Sequence, residues 1–181
     1  KDSIKILTKN GTKKKNITLL HCNTAYPTPP EDVNLSVLKK IKKKFGIEVG
    51  YSDHTMGTEI PVAATCFGAK IIEKHITLNK NLPGPDHKSS LNPEEFSNMV
   101  SSIRNTEKAL SEFKKSIRPS ERPNFNVVRK SIVAKEKILK GEVFTESNLT
   151  TKRPGRGKNP MKWRNIIGKK AKKNYLKDEF I

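Results

Sequence analysis

Residues 47–55 read Ile-Glu-Val-Gly-Tyr-Ser-Asp-His-Thr, and this stretch decides the fold because a buried strand runs directly into a polar loop. Residues 47–51 are mostly β-branched, aromatic or small, which is typical of a short strand covered on both faces. Residues 17–21 and 70–75 have the same character. Helical patterns lie around these strands, at 1–10, 34–45, 59–68 and 93–110. The alternation predicts consecutive βα units and a parallel sheet.

The number of strands sets a limit on this prediction. A complete (β/α)8 barrel needs about 250 residues, and this chain has 181. The three predicted strands therefore form either a small open sheet or part of a larger one. Because the sequence also begins without a methionine, we expect a fragment.

The composition changes near residue 114. Residues 114–127 are rich in Lys, Ser, Arg, Pro and Asn, as in a linker. After them, 129–134 and 138–144 are predicted strands, and 145–149 and 163–167 are predicted helical turns. We therefore expect a first domain at 1–113, a linker at 114–127 and a small β-rich domain at 128–181.

The net charge of +19 comes almost entirely from lysine, and aromatic residues make up only 6% of the chain. A basic surface can collect nucleic acid or an anionic substrate. Stacking platforms for bases are hard to build from so few aromatic rings, so solvated lysine faces are favoured. A non-catalytic module that binds an anion or nucleic acid remains the alternative from a different class.

The sequence also predicts where the protein resides. No apolar run approaches the ~20 residues that span a bilayer, and no signal-peptide pattern is present. Cys22 and Cys66 lack the spacing of a CxxC or zinc motif. We expect a cytoplasmic protein with two buried, reduced thiols and no membrane partner.

Two of the four histidines follow neighbouring predicted strands. His54 lies in the loop after the second strand, and His75 ends the third. The carboxyl ends of parallel strands share one rim, so these side chains can approach each other. Imidazole binds Mn, Zn or Fe, and two such ligands leave positions open for substrate and water. Spacing alone leaves both a metal site and ordinary hydrogen-bonded histidines open.

Acidic residues are predicted at the same rim. Glu73 lies two residues before His75, so the two side chains point to the same face of the strand. Glu73 could act as a general base or hold a sugar hydroxyl, and the alternative is an ion pair with Lys70 or Lys74. Asp53 is expected to cap its loop or to support a neighbouring ligand.

Four motifs are together recognisable, at residues 20–29, 50–55, 72–78 and 84–88. In order and spacing they resemble the N-acylneuraminate (sialic acid) synthases. The segments 129–134, 152–155 and 167–169 resemble the antifreeze-like SAF domain that closes those enzymes. The resemblance covers nearly the whole chain.

The resemblance implies a fold and a reaction. The fold is the C-terminal portion of a (β/α)8 TIM barrel, its last three βα units, followed by the small β-rich SAF domain. The enzymes condense phosphoenolpyruvate with N-acetylmannosamine or a related N-acyl sugar, giving N-acetylneuraminate and phosphate by C–O cleavage. The implied cofactor is a divalent metal, Mn2+ first and Mg2+ or Co2+ as alternatives. Legionaminic and pseudaminic acid synthases are alternatives within the class, and residues 86–88 favour the sialic and legionaminic branches.

The resemblance also assigns residues. The metal ligands are His54 and His75, and the catalytic carboxylate is Glu73. The implied substrate-binding residues are Thr24, Tyr26, Ser52, Asp86 and Arg153. Arg153 reaches into the barrel of a partner subunit, which implies a homodimer whose SAF domain caps the partner barrel. Lysines and a glutamate that hold phosphoenolpyruvate come from an N-terminal half that this chain does not contain, so the chain alone is expected to be inactive.

Overall fold

A computed structural model describes residues 1–110 and 114–181. The chain divides into two compact units, 1–113 and 114–181. The predicted end of the first domain, residue 113, lies outside the described residues. The helices of the first unit are α1 (Asp2–Lys9), α2 (Val37–Phe45), α3 (Glu59–Cys66) and α4 (Pro93–Ala109). Its strands are β1 (Thr18–Cys22), β2 (Glu48–Asp53) and β3 (Ile72–Lys74), and two 3-10 turns occupy Lys14–Asn16 and Pro30–Asp32.

The three strands of the first unit form one parallel sheet in the order β1-β2-β3. β2 lies in the middle, and Val49 and Tyr51 on it are buried. Gly50 allows the close approach of β3, since a Cβ there would lie 2.6 Å from the carbonyl oxygen of Ile71. The predicted alternation of parallel strands and helices is confirmed.

The helices cover the sheet with apolar side chains. Leu38 of α2 and Ala64 of α3 are fully buried against β2. α2 ends at Gly46, whose φ of 60° is the left-handed conformation that favours glycine. α4 begins with a capping box in which Asn92 and Glu95 satisfy each other's backbone N–H groups. These local signals fix where each helix begins and ends, and therefore where the intervening loops lie.

The start of α2 differs from its prediction by three residues. The pattern predicts α2 from residue 34, and the helix begins at Val37. Asn34 has a φ of 50°, which is left-handed and incompatible with an α-helical turn. Its side chain accepts a hydrogen bond from the Ser36 hydroxyl, so the segment forms a polar turn ahead of the helix.

The second unit is built around the antiparallel pair β4 (Ser131–Ala134) and β5 (Leu149–Lys152). It also contains helices α5 (Phe125–Val128) and α6 (Trp163–Ile166) and 3-10 turns at Pro119–Asn124 and Pro160–Lys162. Its core comprises Ile132, Ala134, Ile138, Phe144, Leu149, Ile166, Ala171, Tyr175 and Ile181. The single tryptophan, Trp163, packs against this core.

Two predictions, one for residues 138–144 and one for the two thiols, need correction. Residues 138–144 form only isolated bridges, from Ile138 to Tyr175 and from Val143 to Lys170, because a turn with Gly141 at φ 93° interrupts the segment. The predicted linker, 114–127, contains helical turns and belongs to the second unit. Cys22 and Cys66 are free, as expected, but exposed rather than buried.

No helix in the described part of the chain is both long enough and apolar enough to cross a membrane.

Candidate active site

Three aromatic side chains meet where β2 and β3 end. The rings of His54 and His75 lie 5.2 Å apart between centroids, with their planes at 76°. Tyr26, from the loop after β1, places its ring 5.2 Å from His54 and 4.5 Å from His75. The predicted approach of the two histidines is therefore present, and a third strand end contributes the tyrosine.

The orientation of His54 is set by the backbone of the loop after β1. Its Nδ1 lies 2.7 Å from the carbonyl oxygen of Asn23. Because a carbonyl oxygen only accepts, Nδ1 carries the proton and the neutral ring presents the lone pair of Nε2. The backbone N–H of Thr28 donates to the carbonyl oxygen of His54 at 2.8 Å. The loop after β1 thus holds His54 through both its ring and its main chain.

His75 lies opposite the loop that carries Asp86. Its Nδ1 is 3.9 Å from Asp86 Oδ2, and the two side chains are 40% and 51% exposed. The Tyr26 hydroxyl donates to the Asp86 carbonyl oxygen at 3.2 Å and lies 3.2 Å from the hydroxyl of Ser90. Burial and the negative charge of Asp86 raise the pKa of Tyr26, so its phenol remains a neutral donor near pH 7. Tyr26 therefore ties the Asp86 loop to the two histidines.

Glu73 is held by its neighbour on β2. Ser52 and Glu73 are register partners, and the Ser52 hydroxyl donates to Glu73 Oε1 at 2.5 Å. Ser52 is buried and Glu73 is exposed. Ser52 was expected to bind phosphoenolpyruvate, and in this structure its only proton is donated to Glu73.

A second cross-strand pair lies one residue further along. Lys74 Nζ contacts Asp53 Oδ2 at 2.6 Å, with both side chains buried. The alternative in which Glu73 pairs with Lys74 is wrong, because the Lys74 ammonium is committed to Asp53. The predicted loop-capping role of Asp53 is confirmed, because Asp53 Oδ1 accepts the backbone N–H of Thr55 at 3.0 Å. Sequence reasoning missed the pairing of Lys74 with Asp53, whose signal is the register of the two residues on neighbouring strands.

The remaining predicted residues lie in two places. Thr24 is exposed in the loop between Asn23 and Tyr26. Arg153 belongs to the second unit, where its Nε–H donates to the carbonyl oxygen of Val128 at 2.9 Å. Its role at a partner's barrel, like the roles of the other site residues, stays a prediction.

The donor set at these strand ends has few possible metal ligands. Within residues 1–110 and 114–181, no group of three or more His, Cys, Asp or Glu residues could hold an ion. The two imidazoles fit an ion with only two protein ligands, since Nε2 of His54 is left with its lone pair and His75 lies beside it. Such a set suits a divalent transition ion whose other positions are taken by water or substrate.

Comparison with known proteins assigns the chain to a protein family. A model of the NeuB family matches residues 1–115, and a model of the SAF domain matches residues 129–181. This chain belongs to the NeuB family. The resemblance seen in the sequence motifs is confirmed.

Curated members of the family include several sugar-acid synthases. The N,N'-diacetyllegionaminic acid synthase of Campylobacter jejuni is 51% identical over 180 residues, which cover 99% of this chain and 54% of that protein. The N-acetylneuraminate-9-phosphate synthase of Homo sapiens is 42% identical, over 92% of this chain and 47% of that protein. The chain spans about half the length of these relatives.

Solved structures agree with this assignment. A sialic acid synthetase from Leptospira borgpetersenii is 36% identical with a TM-score of 0.59, over 68% of this chain and 42% of that one. A spore coat polysaccharide biosynthesis protein of Bacillus subtilis is 35% identical with a TM-score of 0.53, over 96% of this chain and 54% of that one. The predicted fold class, the C-terminal part of a (β/α)8 barrel followed by a small β-rich SAF domain, is confirmed.

Proposed function

We propose that this chain carries the metal-binding and acceptor-binding part of a sialic acid-type synthase. The reaction joins phosphoenolpyruvate to the aldehyde carbon of an N-acyl sugar such as N-acetylmannosamine. Water supplies the oxygen that replaces phosphate, so the products are a nine-carbon sugar acid and inorganic phosphate. The observation that carries the proposal is the meeting of His54 and His75 at the ends of two neighbouring strands, with Asp86 3.9 Å from His75.

His54 and His75 would hold the metal, with Mn2+ as our first choice. The ion, when bound, supplies a Lewis acid that polarises the aldehyde oxygen of the acceptor. The chain orients the two imidazole rings before a metal binds. The Asn23 carbonyl selects the tautomer of His54 that leaves Nε2 available, and Tyr26 packs against both rings.

Glu73 is the proposed general base. A carboxylate accepts a proton from the attacking water only if it is ionised and fixed in direction. The Ser52 hydroxyl supplies the direction, because its 2.5 Å hydrogen bond fixes one of the two carboxylate oxygens.

Asp86 is the proposed contact for the acceptor's hydroxyl groups. Its carboxylate is half exposed beside His75, and its loop is anchored by the Tyr26 hydroxyl and by a 2.7 Å hydrogen bond from Ser90. An ionised carboxylate accepts several hydrogen bonds, and it therefore suits a polyhydroxylated ligand.

Two acceptors have support. The 51% identity to the Campylobacter jejuni enzyme, and 41% identity to a Legionella pneumophila enzyme of the same name, favour an acceptor that leads to N,N'-diacetyllegionaminic acid. The human relative at 42% identity favours an N-acetylmannosamine-type acceptor. A panel of both acceptors decides between them.

The assembly is also proposed. In it the second unit of one subunit covers the barrel of its partner, and Arg153 contacts the N-acyl group of the acceptor there. An arginine guanidinium suits a carbonyl oxygen as a charged donor.

The test uses a fusion protein, in which the part of the Campylobacter jejuni relative that this chain does not match is placed ahead of residue 1. With Mn2+, phosphoenolpyruvate and acceptor, we expect phosphate release that requires the acceptor. Glu73→Gln should lower kcat by about 10²–10⁴-fold, and His54→Ala should abolish metal-dependent turnover. Glu48→Gln, which breaks an exposed ion pair with Lys42, is the matched control and should behave as wild type. Acceptor-dependent turnover that survives both His54→Ala and His75→Ala would refute the proposal.

A further inference from the structure

A buried ion pair that the proposed reaction does not use lies between the two metal-binding strands. Lys74 Nζ is 2.6 Å from Asp53 Oδ2, and the side chains are 1% and 0% exposed. Lys74 Nζ also donates to the carbonyl oxygen of Thr55 at 2.5 Å. Asp53 Oδ1 accepts the backbone N–H of Thr55 at 3.0 Å. The three residues therefore form a closed ring of polar contacts.

The three residues of this ring of polar contacts are sequence neighbours of the two histidines. Asp53 precedes His54 and Thr55 follows it, so the backbone on both sides of this histidine is tied to one ammonium group. That ammonium belongs to Lys74, the residue directly before His75. A displacement of Lys74 would therefore move the supports of both histidines together.

The pair lies on the opposite face of the sheet from the catalytic carboxylate. Side chains alternate along a strand, and Ser52–Glu73 and Asp53–Lys74 are consecutive register partners of β2 and β3. Ser52 and Glu73 thus share one face of the sheet, and Asp53 and Lys74 occupy the reverse face. The two strand ends are joined from both sides.

Stability alone does not account for a buried pair of charges. The free energy lost when two ions are removed from water is about as large as the free energy gained from their attraction. Apolar residues of equal volume often give the fold equal or greater stability. An apolar pair, however, could not bind the Thr55 carbonyl oxygen and its N–H at fixed angles. What the pair supplies is a defined backbone geometry around His54.

We propose that Asp53 and Lys74 are positioning residues that hold His54 and His75 at the separation needed to share one metal ion. This inference rests on the proposed function, in which those histidines are the ligands. Residues that orient metal ligands without contacting the metal typically change affinity by about 10–100-fold when replaced. The same range is expected here.

The experiment measures Mn2+ binding by the 181-residue chain, from the loss of the electron paramagnetic resonance signal of free Mn2+. The variant is Asp53→Asn with Lys74→Met, which removes both charges and leaves neither one buried alone. We expect Mn2+ affinity to fall about 10–100-fold while far-UV circular dichroism stays that of wild type. Lys74→Arg, which keeps the charge and its donors, should recover part of the affinity. Glu48→Gln is the control for loss of an exposed pair and should bind as wild type.

The outcomes separate the two proposals. If His54→Ala abolishes Mn2+ binding and the double variant binds as tightly as wild type, the positioning role is refuted and the metal site stands. If wild type shows no Mn2+ binding that His54→Ala removes, the metal site is refuted, and the positioning role falls with it. If the double variant does not fold, Lys74→Arg decides. A guanidinium cannot reproduce the geometry of the ammonium. Wild-type Mn2+ affinity of Lys74→Arg, together with a wild-type visible spectrum of its bound Co2+, would therefore overturn the positioning role.

Discussion

Replacing Ser52 by alanine separates two roles for this residue. The resemblance to sialic acid synthases implies that Ser52 binds phosphoenolpyruvate, whereas the structure shows its hydroxyl donating to Glu73 Oε1 at 2.5 Å. Loss of a substrate contact raises KM for phosphoenolpyruvate. Loss of support for a general base lowers kcat instead.

The magnitude follows from that hydrogen bond. A hydrogen bond to a charged group contributes about 1.5–3 kcal/mol, and we take the lower end because Glu73 is exposed to water. Since about 1.4 kcal/mol corresponds to a factor of ten in rate, Ser52→Ala should lower kcat about tenfold. KM for phosphoenolpyruvate should stay close to the wild-type value.

The assay is continuous phosphate release by the fusion protein, with each substrate varied in turn at saturating Mn2+. Ser101→Ala, an exposed serine on α4, is the matched control and should leave both constants unchanged. A Ser52→Ala protein with normal kcat and a strongly raised KM for phosphoenolpyruvate would contradict the support of Glu73 by Ser52 and restore the substrate-binding role.

Three further predictions concern stability, titration and assembly. Leu38→Ala removes a fully buried side chain and should lower the free energy of unfolding by about 2–5 kcal/mol. The measurement is urea denaturation followed by circular dichroism. Leu176→Ala, at an exposed site, is the control and should change the free energy of unfolding little. Burial raises the pKa of Tyr26 and Tyr51 above the usual value of 10, so these phenols ionise at lower pH in the unfolded chain than in the fold. Stability should therefore fall as pH rises above about 10, and Tyr51→Phe should remove a late-titrating component from the absorbance at 295 nm. Mixing inactive Arg153→Ala and His54→Ala fusion proteins should restore part of the activity. In a mixed dimer, one site combines the intact His54 of one subunit with the intact Arg153 of the other. No recovery after verified subunit exchange would contradict the proposed assembly.

The rim of the sheet could be predicted because it depends on a general property of parallel strands. Once 47–51 and 70–75 were identified as strands, His54 and His75 had to emerge at the same edge. Tyr26 was assigned only by resemblance, since nothing in a proline-rich loop shows that its ring packs against two histidines. The structure adds that contact.

The interactions that local patterns missed depend on register. Neither Asp53 nor Lys74 is unusual in its own segment, and their pairing follows only from the alignment of β2 with β3. Ser52 and Glu73 are brought together in the same way. A sequence read one segment at a time does not contain these distances.

The incorrect predictions have a related cause. Residues 138–144 have the composition of a strand, but the segment turns at Gly141. Ile138 and Phe144, on either side of the turn, both pack into the core of the second unit. Cys22 follows apolar residues, yet it is the last residue of β1 and is exposed. Apolar composition predicts the amount of burial better than it predicts which residue is buried.

The position of Trp163 makes the two units distinguishable by spectroscopy. It is the only tryptophan of the chain and packs within the second unit, so indole emission excited at 295 nm follows the melting of that unit alone. Backbone circular dichroism follows both. A substitution at Leu38 or Asp53 should therefore shift the dichroism transition and leave the emission transition in place, and the separation of the two curves measures how far the units unfold independently.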